Sequence, residues 1–139
     1  MRAVGYSKLL LLASLYAIWL LAPELVSGYM HEPHPPFTVT TPQEGQRIQR
    51  GQTVNVTWEV VPGTRYPIYG YAAARTARTI AGLVKPDAER NDRYIRNIET
   101  YLMLTDSYYE WTVENDIHPG TYRLGIGFYF HEDSPIFHI

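Results

Sequence analysis

Residues 118–130 read HPGTYRLGIGFYF. Tyr122, Leu124, Ile126, Phe128 and Phe130 alternate strictly with Arg123, Gly125, Gly127 and Tyr129. A period of two marks a strand, because successive side chains point to opposite faces of a sheet. One face is large and apolar and the other nearly bare. Pro119-Gly120 supplies the turn into the strand. The stretch predicts a penultimate strand over residues 121–130 that lays its oily face on a core.

The same period recurs upstream. Residues 52–61 (QTVNVTWEVV) place Val54, Val56, Trp58 and Val60 on one face and Thr53, Asn55, Thr57 and Glu59 on the other. Pro62-Gly63 closes that strand. Residues 108–113 (YYEWTV) put Tyr109, Trp111 and Val113 together. Residues 37–41 (FTVTT) read as the first strand and 134–139 (SPIFHI) as the last. Residues 42–51 are turn-rich, with Ile48 their one core contact. Residues 66–73 (YPIYGYAA) read as a further strand, with Pro67 and Gly70 placing it at an edge or a bulge. Residues 72–84 mix alanines with β-branched residues, and 85–93 (KPDAERNDR) form a polar loop. Residues 94–105 fit either a helical stripe of Ile95, Ile98 and Leu102 or a strand; their β-branched and aromatic content favours the strand. Short alternating strands separated by turns point to an all-β, antiparallel β-sandwich.

The chain has 139 residues, which bounds it to one domain. Its start is a separate matter. Arg2 and Lys8 precede an apolar run of 14 over residues 9–22, followed by PELVSG. This is the layout of a secretory signal peptide, cleaved after Gly28, and it falls short of the roughly 20 residues that span a bilayer. The predicted organisation is a signal peptide at 1–28, a proline-rich extended arm at 29–36 (YMHEPHPP) and a sandwich domain at 37–139. Removing Arg2, Lys8 and Glu24 leaves 10 basic and 13 acidic residues in the mature chain. That balance gives no basis for nucleic-acid binding. No further apolar span and no GPI-type tail follow, so a soluble, secreted mature form is expected. Cysteine is absent, so neither disulfides nor zinc thiolates hold the fold.

Two resemblances refine this picture. The run Pro119-Gly120-Thr121-Tyr122 looks like the turn into a late strand of immunoglobulin-like and fibronectin-III-like sandwiches, where a corner tyrosine bonds back to upstream backbone. More widely, the chain carries Thr41-Pro42, then Gly45, then GQTVNVTW at 51–58. Later come YEWTV at 109–113, PGTYRLGI at 119–126 and SPIFHI at 134–139. This layout resembles the N-terminal domain of the fungal Kre/Knh family, the Ser-Thr-rich GPI-anchored membrane family. The resemblance covers residues 37–139, strongly at both ends and poorly between 75 and 105. It implies an Ig-like domain in a fungal cell wall, linked to β-1,6-glucan assembly. The family's Ser/Thr-rich stalk does not follow the last strand, and wall anchoring is not expected from the resemblance.

Candidate sites are few. Asn55-Val56-Thr57 is a glycosylation sequon, with Asn55 on the polar face of its strand. Cleavage after Gly28 exposes Tyr29-Met30-His31, whose amine, amides and imidazole form a square-planar nitrogen set for Cu(II). The internal His31 and His34 lie about 9 Å apart in a polyproline II arm, too far for one ion. His118, His131 and His138 are scattered and read as turn or strand residues. Ser107 and Ser134 lack a nucleophile-elbow context, and the acidic pairs Glu132-Asp133 and Glu114 with Asp116 sit in predicted turns. An enzyme is not expected. The aromatics remain. Trp58 and Trp111 belong to the core, but Tyr66, Tyr69, Tyr71, Tyr101, Tyr108 and Tyr129 cannot all be inside. Tyr66, Tyr69, Tyr71 and Tyr129 are the candidate ligand-binding residues. Gly125 and Gly127 either leave the outer side of their strand low for a ligand beside Tyr129 or relieve crowding against a neighbouring segment.

The sequence therefore predicts a secreted, non-catalytic, wall-associated module engaging β-glucan. The rival readings are a protein-interaction module acting on a wall or host protein and an extracellular copper binder.

Overall fold

Trp58 and Trp111 organise the core. Alternation in β2 (Thr53–Val60) turns Val54, Val56 and Trp58 inward, and β5 (Tyr108–Thr112) turns Trp111 the same way. Each indole N–H has a partner, as a buried ring requires. Trp58 Nε1 donates to the Leu104 carbonyl at 2.7 Å and Trp111 Nε1 to Glu114 Oε2 at 3.0 Å.

The computed structural model describes residues 35–66, 68–73 and 76–139. The expected signal peptide, residues 29–34 of the arm and the Tyr29-Met30-His31 copper set lie outside the described residues. The described chain is all-β. Its strands are β1 (Phe37–Thr41), β2, β3 (Arg78–Val84), β4 (Arg96–Met103), β5, β6 (Thr121–Ile126), β7 (Glu132–Asp133) and β8 (Phe137–His138). A 3-10 turn, Leu104–Asp106, links β4 to β5.

Two antiparallel sheets form. The first has the order β1-β2-β5, with Val39 opposite Trp58 and Val54 opposite Trp111. The second has the order β4-β3-β6-β7, with β8 also paired to β6. Leu83 faces Leu124 and Ala81 faces Ile126 across the β3–β6 ladder. One core takes side chains from both sheets: Phe37, Val56, Trp58 and Trp111 from the first, Leu83, Leu102, Leu124 and Ile126 from the second, and Phe137 from β8. The arrangement is sandwich-like. Residues 45–48, in the connection between β1 and β2 of the first sheet, bond across to the segment that carries β8. Gly45 and Ile48 donate to the Ile136 and His138 carbonyls at 2.7 and 2.8 Å, and Ile48 is buried as expected.

Several sequence expectations are corrected here. The described residues 66 and 68–73 form no strand. The described part turns instead, with Tyr71 and Ala72 both donating to the Ile68 carbonyl. Residues 94–105 do contain a strand, shortened to β4 and followed by the 3-10 turn. The last strand is two residues long, and β7 was not anticipated.

The largest correction falls on the deciding stretch. β6 ends at Ile126, so Phe128 and Phe130 do not extend its oily face; they are 39% and 44% exposed. Gly127 is the cause. It adopts φ +139, and a Cβ there would overlap the carbonyl of Phe130. The chain folds back at this residue because only glycine fits the position. Gly125 is equally informative. A Cβ on it would lie 2.8 Å from Asp133 Oδ1 and 2.9 Å from the Tyr94 ring. The bare side of β6 is filled by Tyr94 and His131, so these glycines relieve crowding and leave no groove for a ligand.

Candidate functional site

The break at Gly127 creates the most distinctive surface on the molecule. Residues 127–131 turn back and dock on the 68–73 turn through three backbone hydrogen bonds. Phe128 N–H donates to the Tyr71 carbonyl at 3.2 Å. Tyr129 and Phe130 N–H both donate to the Gly70 carbonyl, at 2.8 and 3.0 Å. The seam is pinned from behind. Thr79 Oγ1 donates to the Tyr71 carbonyl at 2.6 Å, Gly127 N–H to the Ile80 carbonyl at 3.0 Å and the Tyr94 hydroxyl to the Gly127 carbonyl at 2.6 Å. Two loops thus form one fixed lip.

Its side chains divide by face. Tyr69 and Tyr129 project outward, 84% and 81% exposed. With Phe128, Gly70, Ala72 and Ala73 they line a cleft of about 520 Å³. Phe130 points the other way. Its ring covers Gly70 and lies 6.0 Å from the Tyr71 ring, centroid to centroid.

Beneath the lip is a charged layer. Tyr71 is 4% exposed and packs edge-on against Phe37 at 5.4 Å. Its hydroxyl donates to Glu132 Oε1 at 2.6 Å and also meets the Arg90 guanidinium. Arg90 pairs with Glu132 at 3.4 Å and lies 5.6 Å over the Phe130 ring. Burial, and then the Glu132 carboxylate, push the Tyr71 phenol up to about 12, so it remains a donor at any ordinary pH.

The four candidate tyrosines therefore separate. Tyr69 and Tyr129 come together at the cleft, although sixty residues apart in sequence. Tyr71 supports the lip from inside, where no ligand reaches its ring. Tyr66 is partly exposed and does not line the cleft; burial raises its phenol above the usual value. Phe128 was assigned to the core by its period and belongs to the cleft. Its signal was the glycine one position before it, which ends the strand.

Asn55 is exposed on the outer face of β2, opposite Glu110. The sequon hydroxyl is engaged: Thr57 Oγ1 lies 2.6 Å from Thr40 Oγ1 and 2.7 Å from Thr41 Oγ1. A second cleft, also about 520 Å³, is lined by Asp106, Tyr108, Tyr109 and Glu110. It carries two carboxylates but only one well-exposed ring, Tyr108. His131, passed over in sequence, proves to be a buried hub behind the lip: its ring meets Asp133 and the Asp92 carbonyl.

No protein-family model, no curated protein and no solved structure matches the chain.

Proposed function

We propose that this chain is a secreted, non-catalytic binding module with an Ig-like fold, and that the Tyr69–Phe128–Tyr129 lip binds β-glucan in a cell-wall setting. One observation carries the reading: two tyrosines more than 80% exposed stand on a backbone fixed by its own hydrogen bonds. Exposed apolar rings on a rigid support mark interaction sites, because ordering them costs little when a ligand arrives. Flat rings with a hydroxyl at the rim suit the C–H faces of pyranose sugars. The Kre/Knh resemblance supplies β-1,6-glucan as the first ligand to try. The Ig-like assignment draws support from Tyr122, whose hydroxyl donates to the His118 carbonyl at 2.5 Å as a corner tyrosine does. The non-catalytic reading draws support from the His131–Asp133 pair, which is sealed from any substrate.

A second reading has its own observation. Among the described residues, the cleft lining offers no polar side chain apart from the two phenols. Sugar hydroxyls left without partners weaken binding, so an apolar side chain of a wall or host protein fits the same cleft.

Retention of the secreted protein on insoluble β-1,3- and β-1,6-glucan, with soluble glucan as competitor, tests both. Competable retention lost in Tyr129→Ala but kept in Tyr108→Ala supports glucan at the lip. Loss in Tyr108→Ala alone moves the site to the second cleft. Absence of retention on every glucan removes the carbohydrate reading and leaves the protein partner.

A further inference from the structure

His131 is the last residue of the 127–131 segment of the lip, and it is 1% exposed. Nδ1 lies 2.5 Å from Asp133 Oδ1, and Nε2 lies 2.9 Å from the Asp92 carbonyl oxygen. A carbonyl only accepts, so Nε2 carries a proton. The short contact to the carboxyl holds a second proton between Nδ1 and Asp133. A neutral imidazole beside an ionised carboxylate has one proton for these two contacts; the geometry requires two. The doubly protonated form of the pair is the one that fits both contacts.

The surroundings are specific. From β7, Asp133 faces Nδ1, while Glu132 turns toward Arg90 and Tyr71. From β6, Gly125 lies against the ring. From the segment before β4, the Tyr94 ring lies 5.2 Å away, its phenol raised by burial and by the charge of Asp133. From the loop between β3 and β4 come the Asp92 carbonyl and Arg90, whose own carbonyl accepts the His131 N–H at 2.9 Å. Burial works against the charged ring, and the hydrogen bond and charge of Asp133, with those of Asp92, outweigh it. The ring's proton affinity is raised above the ordinary imidazole value.

The loop that this ring grips is the one that carries Arg90 beneath Tyr71 and Phe130. We infer that His131 is an acid latch on the aromatic lip: doubly protonated, it ties residues 85–93 to residues 127–131, and on losing a proton it lets that loop go. When the proton leaves, the charge-assisted bond to Asp133 keeps the remaining N–H. The Asp92 carbonyl then faces a lone pair in a buried site, which favours opening. Arg90 leaves the underside of Phe130 with the loop. The consequence for binding, tighter retention in acid, rests on the lip being the ligand site; the latch itself does not.

The test has two arms. In the first, NMR of ¹⁵N-labelled protein follows the His131 ring and the exchange of its backbone N–H, corrected for intrinsic base catalysis, from pH 5 to 9. The latch predicts two protonated ring nitrogens in acid, a midpoint above about 6.5, and a tenfold or greater loss of amide protection through that midpoint. Asp133→Asn, which preserves shape, lowers the midpoint. A single ring proton at pH 5, protection indifferent to the titration, or an unmoved midpoint in Asp133→Asn overturns the latch. In the second arm, retention on β-1,3- and β-1,6-glucan is measured across the same range. Retention that falls several-fold at the His131 midpoint supports the latch's control of the lip, and retention that stays constant overturns it. Absence of retention at every pH, with the NMR signature present, removes the glucan reading and leaves the latch standing.

Discussion

Single residues decide more of this molecule than their number suggests. Gly127 ends β6, reverses the chain and creates the lip. Gly127→Ala combines a disfavoured φ with overlap on the Phe130 carbonyl, and we expect a loss of about 2 kcal/mol or more, read by urea unfolding. Tyr122 is a milder case. Tyr122→Phe removes one hydrogen bond to the His118 carbonyl, and unfolding free energy should fall by about 1 kcal/mol. Both indoles were legible in the sequence, because an apolar face at period two fixes where a ring points; the bond from the Tyr122 hydroxyl back to upstream backbone was implied only by the resemblance of its turn to those of known sandwiches. His131 was not legible. A lone histidine in a turn carries no local signal, and its partners come from positions 92 and 133.

At the scale of elements, the strands with clean alternation were readable and the segments between them were not. β1, β2, β5 and the first half of the deciding stretch formed where expected, since one buried face leaves each of them a single register. Residues 66–73 also read as a strand, yet their described part, 68–73, turns and zips to 127–131, because the seam between the two loops satisfies backbone groups in place of a ladder. The seam predicts a contrast between neighbours. Tyr129→Ala should change stability by no more than about 0.5 kcal/mol, since the ring is solvent-exposed. Phe130→Ala should cost about 1–2 kcal/mol, because its ring covers Gly70 and sits between Tyr71 and Arg90. Chemical unfolding of the two variants side by side checks this. A cost at Tyr129 equal to that at Phe130 would show that the outward ring is part of the packing.

At the scale of the whole molecule, one core spans both sheets and no disulfide supports it. The second sheet and the loops behind it also depend on a buried ionisable pair. His131 gains proton affinity on folding, so its contribution to stability is complete below the ordinary imidazole value and is lost as pH rises through the raised one. Thermal scans should therefore show Tm falling as pH rises above about 6.5, and Asp133→Asn should flatten that fall. Tm indifferent to pH there would mean that the pair contributes nothing to the fold's balance.

The sequence by itself determined the all-β class, the antiparallel strands and the two tryptophans at the centre. Those follow from periodicity, which is local. Tertiary structure alone decided the site. It brought Tyr69 to Tyr129, sent Tyr71 inside, closed the bare side of β6 with Tyr94 and His131, and placed Arg90 under the lip. Each of these joins residues far apart in the chain through loops whose conformation is set by what they dock against, and no local pattern records such a contact.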